Sequence, residues 1–224
     1  MSWRWVLYRD RLEAGETLSG ELKGYKDRSA IILAIPNGGV PVGYSLTKAL
    51  NGRMNILVVR KIQIPWNPEA GFGAITIDGT TILNQVLVNR LNLAKEQIDA
   101  AINKTTKQIS ERIGFYKLDT KIYSELSNET IILTDDGLAS GFTMMAAIRS
   151  IERYSPKEII VAVPTASSGA VQRIQQENIS IVCTNVRDTF YFAVADAYQN
   201  WYDVDEKEVL HYIQRLKTEG FWLD

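Results

Sequence analysis

Five short, nearly continuous apolar runs dictate what this chain can fold into. SAIILAIP (29–36), NILVVR (55–60), TIILT (130–134), EIIVAVP (158–164) and ISIVCT (179–184) are rich in β-branched residues and show no polar alternation. Strands that read this way are buried on both faces, which happens in parallel sheets covered by helices. Helical patterns fill the intervals: Val40 to Leu50, Ala94 to about Phe115, Thr143 to Tyr154 and Ser168 to about Gln176. The longest sets Ile98, Ile102, Ile109 and Ile113 on one face, as a helix packed on a sheet requires. The alternation predicts an α/β fold around a parallel sheet. Segment 61–92 breaks the rhythm with many Pro and Gly residues and an Asp78-Gly79 turn between two β-like runs. It reads as a hairpin preceded by a long loop, 62–74, which carries Glu69 and suits a lid.

Composition narrows the chemistry. A length of 224 residues fits one domain, 1–224, with a sizeable core. Lys and Arg total 25 against 26 Asp and Glu, so the chain is not built to coat nucleic acid, and any cationic chemistry must be local. The one cysteine, Cys183, lies in an apolar run and reads as a packed thiol in a reducing compartment. The one histidine, His211, rules out a His cluster for metal. With no leader-like apolar segment and no run of transmembrane length, the expectation is a cytoplasmic protein without a membrane partner.

Two loops that follow buried strands stand out, because ligands of open α/β sheets sit outside the carboxyl ends of the strands. The first is AIPNGGVPVG (34–43). Its adjacent Gly38 and Gly39 would let a ligand approach the backbone, and the helix behind adds N–H groups; a plain strand-to-helix turn is the simpler alternative. The second is IILTDDGLASGFTM (131–144). Two adjacent carboxylates, Asp135 and Asp136, precede a small-residue loop with the hydroxyls of Ser140 and Thr143. Loop N–H groups at a helix start form a nest for phosphate. Carboxylates beside such a nest need another task, and accepting sugar hydroxyls or holding Mg²⁺ would supply one. Helix capping by Asp136 or Ser140 uses only one acceptor, so it leaves the pair unexplained.

The second loop closely resembles the phosphoribosyl pyrophosphate (PRPP) motif of type I phosphoribosyltransferases, and the first resembles their pyrophosphate loop. YRDRLEAGETLSGEL and VVRKIQIPWNPEAGFGAI are similar to a branch of that family whose acceptor is unassigned. The resemblance spans roughly residues 8–212. It implies a Rossmann-like parallel-sheet core with a hairpin or lid insertion and a small hood from about 1–28 and 185–224. It further implies a Mg²⁺-dependent glycosyltransferase of nucleotide metabolism that moves ribose 5-phosphate from PRPP to a nucleobase and releases pyrophosphate. On this reading Ala139, Ser140, Gly141, Phe142 and Thr143 hold the 5′-phosphate. Asp135 and Asp136 take the ribose hydroxyls, directly or through Mg²⁺. Asn37, Gly38 and Gly39 receive the pyrophosphate, while Arg60 and Lys61, at the end of the second strand, neutralise the leaving group. A homodimer is implied as well.

The chain departs from its resemblance at two positions. Relatives in the branch carry Arg where Asn37 stands, so the charge-assisted contact is lost and Asn37→Arg is expected to raise activity. A catalytically weak PRPP- or nucleotide-binding regulator is the alternative this leaves open. Ala139 replaces the aspartate of hypoxanthine-guanine enzymes, which removes acid-base help from that point. For the acceptor, the aromatics Phe190, Tyr191, Phe192, Tyr198, Trp201 and Tyr202, with Asp188, offer stacking and edge recognition. Trp3, Trp5 and Tyr8 offer an equal alternative. A subdomain core or a dimer contact would use either set of aromatics as well.

Overall fold

The structure is a computed structural model that describes residues 7–189 and 191–224. Trp3, Trp5 and Phe190 lie outside the described residues. Five parallel strands form the main sheet: β1 (Ile31–Ala34), β2 (Arg53–Ile56), β6 (Thr130–Thr134), β7 (Glu158–Ser167) and β8 (Ser180–Arg187). Their spatial order is β2-β1-β6-β7-β8. Counting only these strands, that is the doubly wound order in which direction reverses between the first and third, β1 and β6.

The apolar runs behave as strands covered on both sides. In β1, Ile32 and Ala34 point into one core cluster while Ile31 and Leu33 point into the other. β6 divides in the same way, with Ile132 on one face and Ile131 and Leu133 on the opposite one. On the first face lie α1 (Arg11–Glu21), α2 (Gly39–Leu50) and α7 (Glu206–Glu219); α5 (Phe142–Glu152) and α6 (Ser168–Gln175) cover the second. Helix α1 packs on α2, β7 and β8, and α7 packs on α2. Much of what the sequence assigns to a hood is therefore part of the helical layer. The sheet edge at β2 is closed by the C-terminus, where Met54 N–H donates to Phe221 O and Leu223 N–H to Met54 O.

Three expectations need correction. The run 55–60 is not one strand: β2 ends at Ile56, and Val59 starts β3 (Val59–Ile64) in a separate antiparallel sheet with β4 (Asn67–Thr76) and β5 (Thr81–Leu83). Arg60 and Lys61 thus stand on the small sheet, not at the end of the second parallel strand. Residues 62–74 are not a loop but the β3–β4 ribbon, because alternating partners let the Pro- and Gly-rich stretch satisfy its backbone. Glu69 is exposed near the turn of that ribbon. The Asp78-Gly79 turn joins β4 to β5 as expected, with Gly79 at φ +83°. The long helix, α4 (Lys95–Tyr116), which follows the short α3 (Gln85–Arg90), packs its Ile face on β3 and β4 rather than on the main sheet. β7 runs past Pro164 to Ser167. Pairing with β6 ends at Thr134 and Ala162, so the proline stands beyond the last partner on that side.

Candidate functional site at the β1–β6 switch point

The two unusual loops leave β1 and β6, the pair of neighbouring strands where the chain direction reverses, so the sheet order brings them into contact. Ile35 N–H donates to Thr134 O at 2.9 Å. A Cβ on Gly39 would fall 2.8 Å from the Asp135 Cα, and one on Gly38 would fall 1.9 Å from Asp136 Oδ2. Gly38 has φ −62°, an ordinary helical value. The glycines are therefore needed to admit the acidic pair against the backbone, not to reach a left-handed conformation. The Pro36–Asn37 peptide is cis.

Behind Asp136 the second loop turns toward β7. Leu138 N–H donates to Thr165 O and Ser167 N–H donates to Leu138 O, both at 2.9 Å. Ser167 Oγ donates to Ala139 O at 2.7 Å, and the Arg173 guanidinium holds Ser140 O while lying 4.7 Å from the centre of the Phe142 ring. Gly141, at φ +79°, then starts α5. This geometry orients a row of donors. Among the described residues, the N–H groups of Ala139, Ser140, Gly141, Phe142, Thr143 and Met144 donate to no protein acceptor. Such a row at a helix start binds anions.

The loops floor a cavity of about 650 Å³. Of the residues singled out from the sequence, Asn37, Gly38, Arg60, Lys61, Asp135, Asp136, Thr143 and the aromatic Trp201 line it together. Gly39 lies beneath it against Asp135, whereas Ala139, Ser140, Gly141 and Phe142, in the loop between Asp136 and Thr143, do not line it. Arg60 and Lys61 reach it from β3 across the cleft. Asp188 does not take part, since it accepts from Ser168 Oγ at 2.8 Å. Tyr198 is buried against Tyr8, with ring centroids 5.7 Å apart, and donates to Asp136 O at 2.6 Å. Tyr191 is 86 % exposed and does not line the cavity.

Sequence reasoning missed Arg11 and Arg112. Arg11, 5 % exposed, donates from Nε to Asp136 Oδ2 at 2.9 Å, and its Nη2 lies 2.9 Å from the same oxygen. Nη1 donates to Tyr202 O at 2.9 Å, and the guanidinium stacks 4.1 Å from the Trp201 ring centre. Arg112 enters the cavity from α4. One turn later Tyr116 donates to Asn37 Oδ1 at 3.0 Å, while Asn37 Nδ2 donates to Val204 O at 2.8 Å. The Asn37 amide is thus engaged inside the protein and joins the first loop to α4 and the C-terminal segment.

Burial sets the electrostatics of the acidic pair. Asp135 is held well above the usual carboxylate range, by burial first and then by the charge of Asp136. Burial also raises Asp136, against the pull of Arg11. Asp135 Oδ1 accepts the N–H of Asp136 at 2.8 Å. The pair therefore has one carboxylate anchored by a cation and a neighbour that binds a proton readily, as coupled buried carboxylates do.

Known proteins are similar to this chain. A family model described as a phosphoribosyl transferase domain covers residues 10–200. The chain belongs to the phosphoribosyltransferase family. Two Mycobacterium tuberculosis proteins, named "Putative phosphoribosyl transferase Rv0571c" and "Putative phosphoribosyl transferase MT0597", are each 30 % identical over 213 residues. Those alignments cover 95 % of this chain and 48 % of the relatives, so the chain spans about half the length of the curated relatives it matches. Among solved structures, TT1426 from Thermus thermophilus superimposes with a TM-score of 0.73 at 25 % identity, covering 94 % of this chain and 99 % of that one. The parallel-sheet core expected of a phosphoribosyltransferase is thus the fold observed.

Proposed function

We propose that this phosphoribosyltransferase-family chain binds PRPP at the switch point and transfers ribose 5-phosphate to a nitrogenous acceptor, a nucleobase, releasing pyrophosphate. The observation that carries the reading is the row of partnerless N–H groups from Ala139 to Met144, set directly after the buried acidic pair. The row suits a phosphate monoester. Asp135 and Asp136 stand where the ribose hydroxyls would need acceptors, and the cations across the cleft suit a diphosphate leaving group. The contribution to rate would be positioning and charge stabilisation of an oxocarbenium-like displacement.

Mg²⁺ fits this site only together with its ligand. Among the described residues no group of three or more His, Cys, Asp or Glu side chains could hold a metal. Arg11 takes one oxygen of Asp136, leaving Oδ1 outside that pair. One or two carboxylates completed by phosphate and hydroxyl oxygens is the usual way Mg²⁺ is held, and the ion would offset the charge of the departing pyrophosphate. The homodimer and the cytoplasmic setting are part of the same proposal; among the described residues no helix is long and apolar enough to cross a membrane.

A binding protein without turnover is the second reading, favoured by the commitment of Asp136 to Arg11 and of the Asn37 amide to Tyr116 and Val204. Calorimetric titration with PRPP, with and without Mg²⁺, tests both. Mg²⁺-dependent binding that disappears in the double variant Asp135→Asn/Asp136→Asn is expected, and pyrophosphate release with a nucleobase panel then separates enzyme from sensor. Equal PRPP affinity in wild type and double variant would refute the donor site.

A further inference from the structure

We infer that Arg112 is an anion-binding residue of this site, acting with Arg60 and Lys61 to receive the diphosphate of its ligand. The assignment rests on the PRPP reading for the identity of that ligand, and on the following geometry for the site itself.

Three cationic residues from two elements line one cavity, Arg60 and Lys61 from β3 and Arg112 from α4, with Lys61 Nζ donating to Glu69 O. A second cavity of about 400 Å³ adjoins it, lined by Arg60 and Arg112 together with Gln108, Glu111, Phe115 and Glu206. Cations brought this close repel one another and need anionic partners. The protein supplies few. Among the described residues the Arg60 guanidinium has no hydrogen-bond or ion-pair partner, its backbone being part of the β3–β4 ribbon. Arg112, its side chain 15 % exposed, meets Glu206 through Nη2 at 3.4 Å, beyond the roughly 2.7–2.9 Å usual for a charge-assisted bond. Glu206 is itself 44 % exposed. Arg112 Nε is buried and has no hydrogen-bond partner. A buried donor left this way costs stability, and a missing acceptor explains it.

Electrostatics agrees. The Arg60 guanidinium is pushed below its ordinary value by burial and then by Arg112, against opposing pulls from Glu206, Tyr116 and Glu111. The carboxylates Asp135, Asp136 and Asp203 line the same cavity, but Asp136 is committed to Arg11, and the neutral Asn37 amide, bonded to Tyr116 and Val204, adds no charge of either sign. A planar guanidinium fork suits bidentate contact with a phosphate oxygen pair. Because Arg112 and Tyr116 are four residues apart on α4, they share a face; one orients the first loop and the other faces the anion.

The test is calorimetry with inorganic pyrophosphate, PRPP and ribose 5-phosphate on wild type, Arg112→Gln and Arg112→Lys. We expect Arg112→Gln to weaken pyrophosphate and PRPP by about 10- to 100-fold, with Arg112→Lys intermediate. Ribose 5-phosphate, which lacks the diphosphate, should change by less than about 2-fold. Unchanged pyrophosphate affinity in Arg112→Gln overturns the assignment, as does equal weakening of all three ligands. Pyrophosphate binding that depends on Arg112 in a protein that ignores PRPP would instead overturn the PRPP reading alone. A wild type that binds none of the three overturns both. Should Arg112→Gln fail to fold, the Arg112 Nε–H nuclear magnetic resonance signal, assigned by its loss in Arg112→Lys, decides: it must move with pyrophosphate and stay with ribose 5-phosphate.

Discussion

Replacing Arg11 by Met should damage the fold in a pH-dependent way. The substitution keeps a long apolar stem against Trp201 and removes the guanidinium that pairs with Asp136 at 2.9 Å and donates to Tyr202 O. Removing one partner of a buried pair costs about 3–5 kcal/mol. Asp136 keeps 15 % of its side-chain surface exposed and faces a cavity, so water can relieve part of this and about 3 kcal/mol is the working figure. For a chain of this size that lowers Tm by roughly 6–12 °C. The sign with pH follows from the carboxyls. Both aspartates titrate higher in the folded state than in the unfolded chain, where Asp lies near pH ~3.9. Their protonation thus contributes stability that is fully present below the unfolded value and is lost as pH rises through the folded one. Arg11 pulls Asp136 down, so its removal pushes that folded value higher still. The cost of Arg11→Met should therefore be larger at about pH 8 than at about pH 5, because protonation of Asp136 in the variant relieves it. Urea unfolding of wild type, Arg11→Met, Asp136→Asn and the double variant at both pH values measures it as a double-mutant cycle. A cost that is equal at both pH values, with no coupling to Asp136→Asn, would show that Arg11 acts through packing alone.

Other perturbations probe the loops one at a time. Gly38→Ala puts a Cβ 1.9 Å from Asp136 Oδ2; overpacking of this kind costs about 1–3 kcal/mol, and thermal unfolding at the wild-type Tm would contradict the close contact. Gly141→Val adds a β-branched side chain at φ +79°, costing about 1–2 kcal/mol in strain, and should abolish binding of ribose 5-phosphate measured by calorimetry. Tyr116→Phe leaves Asn37 Oδ1 without its donor, for a loss of about 1–3 kcal/mol in urea unfolding. Asn37→Arg, which sequence reasoning expects to raise activity, should instead be destabilising by a similar amount, because the arginine has no acceptor for Tyr116 OH and must displace the bond to Val204 O; a stable variant with higher pyrophosphate affinity would reverse this.

The legible and illegible parts of this molecule divide along physical lines. Buried strands announce themselves because both their faces must be apolar, so β1, β6 and β7 are visible as runs. The acidic pair and its small loop are visible because neighbouring carboxylates need a reason. The split at Ile56–Val59 is invisible because NILVVR is apolar almost throughout, and continuous hydrophobicity carries no mark of a change of sheet. The glycines illustrate a subtler limit: Gly38 and Gly39 are singled out for close approach by a ligand, while what lies against them is Asp135 and Asp136 of the same chain. Arg11 and Arg112 did leave a signal. In α1 the buried positions are Arg11, Ala14, Gly15 and Leu18, the stripe of one helix face. In α4, Thr105, Ile109 and Tyr116 are buried, and Arg112 continues their spacing. An arginine on the inward stripe of an amphipathic helix requires an anion in the interior. For Arg11 that anion is Asp136, whose loop lies 125 residues along the chain. For Arg112, among the described residues, the one ion-pair partner is the half-exposed Glu206 at 3.4 Å, and this shortfall is what a bound diphosphate would supply. Periodicity therefore finds the buried cation, and the sheet order decides whether its partner is a side chain or a ligand.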